Sequence, residues 1–79
     1  MATRAFVLIE TAVGKTRDVV AALRGVEEVT AVDAVTGPYD VVAVVQTTDL
    51  SAVGDVVTGR IHTVNGIVRT VTCLSLSAL

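Results

Sequence analysis

The sequence contains few of the residue types that build specialised sites. Its 79 residues include one cysteine, one proline, one phenylalanine, one tyrosine and no tryptophan. The single Cys73 excludes an internal disulfide and any multi-cysteine metal site, and this cysteine usage fits a reducing cytoplasm. We therefore expect no resident metal and no cofactor.

An excess of charge of one sign is also missing. Six basic and eight acidic residues give a net charge of −2, and the basic residues are scattered. This pattern provides no electrostatic footprint for nucleic acid. The apolar run at residues 5–9 is too short for a signal-peptide core and is broken by Glu10, and no run approaches the ~20 residues of a membrane span. We expect a cytoplasmic protein that binds neither DNA directly nor a membrane.

Aliphatic side chains are abundant. Hydrophobic residues make up 52% of the chain, and the mean hydropathy is +0.72. The length allows one domain, residues 1–79, and a domain of this size keeps much of its surface in water. So many aliphatic residues exceed what one small core needs. We expect the excess to be buried against copies of the same chain.

Hydrophobic periodicity and turn residues predict the element order β-α-β-β-α-β. The predicted strands are residues 5–9, 29–36, 41–46 and 67–76. Two βαβ halves predict an α+β protein with the ferredoxin-like split sandwich, in which an antiparallel four-stranded sheet carries both helices on one face. The other face needs a cover, and a second copy dimerising through the sheets is the simplest one.

Capping residues predict where the helices begin and end. Thr16 is expected to cap the first helix, which ends at Gly25, and Asp49 is expected to cap the second. The apolar face of the second helix consists of Leu50, Val53, Val57 and Ile61. Its helix propensity is poor, so packing must hold it. Gly54 falls on that face, where a missing side chain would let the helix approach the sheet closely.

The strongest turn signal lies between the second and third predicted strands. Gly37 tolerates any backbone angle and Pro38 locks its own. Asp40 then stands where the turn meets the most hydrophobic strand. Its carboxylate has two interpretations, because it can cap the turn by accepting bonds from neighbouring backbone N–H groups or it can face a ligand. The residues alone leave both open.

Three other features have structural interpretations. Gly14-Lys15-Thr16 stands between a strand and a helix, as in a phosphate-binding loop, but Ile9 occupies a position where that motif requires glycine. His62 lies near the end of the second helix, where a polar or cationic side chain is electrostatically favoured. Cys73 is expected to pack as a small hydrophobic residue within an apolar strand. We expect no catalytic residue.

Four segments of the chain carry a family resemblance: the turn at residues 35–41, the helix start Asp49-Leu50, the turn at residues 64–67 and a last strand that carries Thr70 and Thr72. Together they resemble the effector domain, or RAM domain, of the Lrp/AsnC transcriptional regulators. The resemblance covers essentially the whole chain, although Asn65 stands where the family often has proline. Family regulators place a helix-turn-helix domain before this one, so the sequence resembles a stand-alone RAM domain.

The resemblance implies a homo-oligomer built from dimers, with an amino acid or similar small effector bound between dimers. The positions it implies as effector contacts are Gly37, Tyr39, Asp40, Thr70 and Thr72. Backbone N–H groups of a glycine turn can hold an α-carboxylate, and a carboxylate can pair with an α-ammonium. Pro38 has no N–H, so the donors must be Gly37, Tyr39 or Asp40.

The function that the resemblance implies is an effector-binding and oligomerisation module of transcriptional regulation without its own DNA-binding domain. It implies association with a full-length Lrp/AsnC regulator as a second partnership. Two other classes share the predicted fold. An acylphosphatase-like enzyme would require an arginine in the loop at residues 10–16, where the basic residue is Lys15. Monooxygenase-like enzymes line their pocket with aromatic and amide residues, which are nearly absent here. A structural assembly unit without a ligand has the same predicted fold as the effector-binding module, and only a binding measurement distinguishes the two.

Overall fold

The most apolar stretches of the chain form the two central strands of the sheet. The computed structural model describes residues 2–76, and its sheet has the strand order β2-β3-β1-β4 with every neighbouring pair antiparallel. The elements in chain order are β1 (Thr3–Thr11), α1 (Thr16–Arg24), β2 (Val29–Ala34), β3 (Val41–Thr47), α2 (Leu50–Val56) with a π-helical turn (Val57–Ile61) after it, and β4 (Ile67–Leu74). The predicted ferredoxin-like fold is confirmed.

One face of the sheet is buried under the helices. Ala5, Val7 and Ile9 alternate along β1 with no exposed surface, and their counterparts on β3 are equally buried. The helices add Val19 and Leu23 from α1, and further aliphatic residues from α2 and the π-helical turn. This core contains no buried polar or charged residue among those described, so its stability depends on aliphatic packing.

The other face of the sheet, the open face, has no helix over it. Direct partners in an antiparallel ladder project to the same side, and this register gives the open face an apolar centre. That centre consists of Phe6, Leu8, Val42, Val44 and Val71. Charged residues lie around it, including Glu10, whose carboxylate is 3.6 Å from Arg69 Nε.

The N-cap of the first helix lies one residue earlier than predicted. Lys15 is the N-cap residue and makes no side-chain capping bond, while Thr16 is the first helical residue. The hydroxyl groups of Thr16 and Thr11 lie 2.8 Å apart, so the threonine predicted as a cap instead bonds to the end of β1. The predicted stop is confirmed, because Gly25 is the C-cap and Val26 behind it is buried.

The second helix begins as predicted but ends differently. The Asp49 side chain caps it by accepting a bond of 2.8 Å from the Ala52 N–H. After Val56 the helix widens, and the His62 N–H donates to the Val57 carbonyl five residues back at 2.8 Å. The spacing of the buried residues along the sequence explains this widening of the helix.

The buried residues Val53, Val57 and Ile61 are four residues apart. An α-helix has 3.6 residues per turn, so two such steps would rotate the last side chain about 80° away from the first. The π-helical turn absorbs this excess and keeps Ile61 fully buried. Packing of the aliphatic side chains therefore determines the local helix type.

Several details of the predictions are wrong. Leu50 is 60% exposed rather than buried, and a Cβ on Gly54 would meet nothing within 4 Å, so no close helix–sheet approach occurs there. Cys73 is exposed because it projects beside Phe6 on the open face. The outer strands also end early, β2 at Ala34 opposite Val41, the first residue of β3, and β4 at Leu74 opposite Ala5. Within residues 2–76, no helix is long and apolar enough to cross a bilayer.

Candidate functional site

The turn between β2 and β3 is held in a conformation that requires its glycine. Gly37 has a φ of 138°, in the region that residues with a Cβ rarely adopt. The Val35 N–H donates to the Asp40 carbonyl at 2.9 Å and closes the turn. Gly37 and Pro38 are exposed, whereas Tyr39 and Asp40 are half-buried. The turn therefore presents backbone to solvent and anchors its last two residues on the sheet.

Asp40 is fixed to β1 through both its backbone and its side chain. Its N–H donates to the Ile9 carbonyl at 2.9 Å, and its Oδ2 accepts a bond of 2.8 Å from the Thr11 N–H. The capping interpretation expected a donor within the turn, but the donor lies 29 residues away in the sequence. The side chain thus joins two loops at one end of the sheet.

The turn has fewer backbone N–H groups available for a ligand than the sequence alone allowed. Of the three candidate N–H groups, that of Asp40 is already bonded to Ile9. Within residues 2–76, the N–H groups of Gly37 and Tyr39 make no hydrogen bond. Two free donors therefore lie within three residues of a carboxylate, a combination that suits a ligand carrying both an anionic and a cationic group.

Tyr39 points towards the edge strand rather than into the turn. The Arg69 guanidinium carbon lies 5.8 Å from the centre of the Tyr39 ring, at the separation of a cation–π contact. Arg69 is the direct partner of Glu10 on the open face. The ring therefore links the turn to the end of β4 through the arginine that β4 contributes there.

The two threonines of β4 lie on the helix side of the sheet. Thr70 is the direct partner of Ile9, and Thr72 is the partner of Val7. Since β4 is an edge strand, Thr72 is exposed and Thr70 only half-buried. Thr70 lines an open cleft of about 340 Å³ together with His62, Ile67, Val68 and Arg69.

Ile9 connects the two groups of predicted residues. Its carbonyl accepts the Asp40 N–H, and its neighbour on the other side is Thr70. Val41 and Thr70 are the two direct partners of Ile9, so they lie level with each other on opposite sides of β1, and Asp40 stands one residue before Val41. The structure brings Gly37, Tyr39 and Asp40 together, places Thr70 at the same end of the sheet and leaves Thr72 one pleat further along.

His62 is the residue that sequence reasoning missed. Its Nε2 lies 2.7 Å from the Thr70 hydroxyl oxygen. In the sequence, its position near a helix end was a sufficient explanation for this histidine, and no short pattern indicates a partner on the edge strand.

A larger cleft of about 760 Å³ lies at the opposite end of the sheet and includes none of the predicted residues. Within residues 2–76, no three His, Cys, Asp or Glu side chains gather as a metal site would require.

Comparison with known proteins identifies the architecture. The family model described as the Lrp/AsnC ligand binding domain matches residues 4–79. The chain belongs to the Lrp/AsnC family. No curated protein sequence matches the chain significantly.

Solved structures similar to this Lrp/AsnC domain fall into two size classes. TTHA0845 from Thermus thermophilus is 38% identical with a TM-score of 0.89, and the match covers 94% of this chain and 92% of that one. AsnC of E. coli is 25% identical with a TM-score of 0.88, covering 94% of this chain and 50% of that one. A Neisseria meningitidis transcriptional regulator, NMB0573, solved with L-Met, is 22% identical with a TM-score of 0.84, covering 94% and 49%. The chain thus spans nearly all of the first protein and half of the other two.

Proposed function

We propose that the chain is a non-enzymatic cytoplasmic module that binds an amino acid at the β2–β3 turn and assembles into oligomers in transcriptional regulation. The observation that carries this proposal is the arrangement around Asp40. A carboxylate fixed by the Thr11 N–H stands beside the unbonded N–H groups of Gly37 and Tyr39. The Lrp/AsnC ligand-binding family supports a ligand-binding role.

The turn has the complementary charges that recognition of an amino acid requires. The backbone donors of Gly37 and Tyr39 take the α-carboxylate, and the Asp40 carboxylate takes the α-ammonium. The bond from Thr11 orients the Asp40 carboxylate before a ligand arrives, which lowers the entropy cost of binding. Thr70 and Thr72 complete the site from the edge strand, and the site forms between dimers.

The open face is the proposed dimer interface. Its apolar centre of Phe6, Leu8, Val42, Val44 and Val71 is a contiguous group of aliphatic and aromatic side chains that no helix covers. Strand faces of this kind pack against each other in sheet-on-sheet arrangements about 10 Å apart. A second copy of the chain presents the same apolar surface, so a two-fold axis through the face buries both. Dimers then associate into a larger oligomer, and a full-length Lrp/AsnC regulator is a second partner.

The test is a thermal-shift screen of the twenty amino acids followed by calorimetric titration of two Asp40 variants. A ligand that binds only the native state raises its melting temperature. Asp40→Asn keeps an oxygen that accepts from Thr11 but removes the charge. Asp40→Ala removes both.

We expect Asp40→Asn to melt near the wild-type temperature and to bind the amino acid roughly tenfold to a hundredfold more weakly, since a hydrogen bond to a charged group contributes about 1.5–3 kcal/mol. Asp40→Ala loses the same affinity and also about 1 kcal/mol of stability, because the Thr11 N–H is left unpaired. If Asp40→Asn binds as tightly as the wild type, the carboxylate only holds Thr11 and the assigned site is wrong. If no amino acid stabilises the wild type, the proposed function is wrong.

A further inference from the structure

His62 and Thr70 form a side-chain pair that neither the capping of the helix nor the core requires. His62 is exposed, and its Nε2 lies 2.7 Å from the Thr70 hydroxyl oxygen, the shorter end of the hydrogen-bond range. The pair bridges the helix layer and the edge strand β4. Both residues line the 340 Å³ cleft.

The π-helical turn delivers the imidazole to this position. The wide turn from Val57 to Ile61 keeps Ile61 in the core and makes His62 the residue that leaves the helix over β4. π-helical turns of this kind are rare and occur frequently at functional sites. The same local widening of the helix therefore keeps Ile61 in the core and places the His62 imidazole over β4.

The pair matters because of the chemistry of a hydroxyl group. A free threonine hydroxyl has one donor and two acceptor positions and rotates to suit its surroundings. A bond to an imidazole nitrogen occupies one of these positions and holds the hydroxyl oxygen in one place. Thr70 therefore presents its remaining positions to the cleft in a fixed direction, and a ligand that meets them does not have to order the side chain.

We propose that His62 is a positioning residue of the effector site, which acts by orienting the Thr70 hydroxyl towards a polar group of the bound amino acid. This inference rests on the proposed function and adds a residue to it. Two arginines of the neighbouring elements each have an acidic partner at ion-pair distance. Arg69 on β4 lies 3.6 Å from Glu10, and Arg60 on the π-helical turn lies 3.7 Å from Glu28. Arg69 also lines the cleft, and His62 and Thr70 are the two cleft residues whose side chains are hydrogen-bonded to each other.

A double-mutant cycle tests the inference, with the twenty L-amino acids as probes and calorimetry for the one that stabilises the wild type most. The variants are His62→Ala, His62→Gln, Thr70→Val and the double variant His62→Ala/Thr70→Val. The His62 side chain is exposed, so its replacement leaves the core intact. Melting curves without amino acid separate an effect on stability from an effect on affinity.

We expect His62→Ala to weaken binding about three- to tenfold, the range for one neutral hydrogen bond. His62→Gln restores most of the affinity, because its amide group reaches as far as Nε2 and bonds to a hydroxyl. In the Thr70→Val background, His62→Ala has no further effect, since its target is gone.

Two results would overturn the inference while leaving the proposed function in place. One is a His62→Ala protein that binds as the wild type does, with Asp40→Asn weakened. The other is an equal loss from His62→Ala with and without the Thr70 hydroxyl. A purely structural pair would give the first of these results together with a lower melting temperature of the free protein. A wild type that no amino acid stabilises removes the inference together with the proposed function.

Discussion

At the scale of single residues, two glycines of this chain have opposite surroundings. Gly66 has a φ of 102°, and a Cβ there would lie 2.8 Å from Lys15 Cβ and 3.2 Å from Val19 Cγ2. Gly66→Ala should therefore destabilise the protein by about 2 kcal/mol or more, from backbone strain and the displaced side chains. Urea denaturation at a fixed protein concentration measures the change.

Gly54 provides the matched control for that substitution. It lies within α2, and a Cβ there meets nothing within 4 Å. Gly54→Ala should stabilise the protein by about 0.5–1 kcal/mol through helix propensity. Equal losses from the two substitutions would show that the environment of Gly66 is not what the structure describes.

Single residues also show where sequence reasoning stops. Gly37 and Pro38 could be assigned to a turn because their backbone preferences are local. The Asp40 carboxylate could be singled out for the same reason. Its partner Thr11 and the partnership of His62 with Thr70 could not be predicted, because strand pairing brings those residues together and no short pattern encodes them.

At the scale of elements, an exposed capping bond holds the start of α2, a helix of weak propensity. Asp49 Oδ1 accepts the Ala52 N–H at 2.8 Å, and the helix behind it contains Gly54 and β-branched residues. Asp49→Ala should cost about 1 kcal/mol of stability, whereas Asp49→Asn keeps the cap and most of the stability. Asp55→Ala is the control, since it removes a charge from the same helix without a capping role and should change stability by less than about 0.5 kcal/mol. Similar losses for Asp49→Ala and Asp55→Ala would assign the effect to charge.

The elements themselves could be predicted in type and order, but less well in their ends. Turn residues and hydrophobic spacing are local signals, and they predicted all four strands and both helices. The π-helical turn was not predicted, although the four-residue spacing of Val53, Val57 and Ile61 contains its cause. That spacing fits an α-helix approximately, and only the packed sheet decides that all three side chains must be buried together.

At the scale of the whole molecule, the open face should control assembly. Leu8 lies at its centre between Val42 and Val71. Leu8→Glu places a charge where a second copy would bury it, at a cost of several kcal/mol, so light scattering at micromolar concentration should give a smaller mass than that of the wild type. Val13→Glu adds the same charge at a fully exposed loop position and should leave the mass unchanged.

Circular dichroism shows that each variant has kept its fold. A wild-type chain that scatters as a monomer would contradict assembly through this face, and so would a folded Leu8→Glu protein of wild-type mass. The aliphatic excess and the uncovered sheet face predicted an interface between copies through the sheets, but not which residues line it. The position of the interface depends on which side of each strand the helices cover, and that follows from the register of the whole sheet.

The strand order also determines when the sheet can be completed during synthesis of the chain. β1 is central, but its partner β4 begins 56 residues after β1 ends (67 − 11). At the usual pace of synthesis, about 5–20 residues per second, roughly 3–11 s pass before that partner exists. Throughout this interval at least one edge of β1 is bare and the open face lacks its fourth strand. Subunits can therefore join only after each has completed its own sheet. Each chain must be synthesised through β4 and folded before it can assemble.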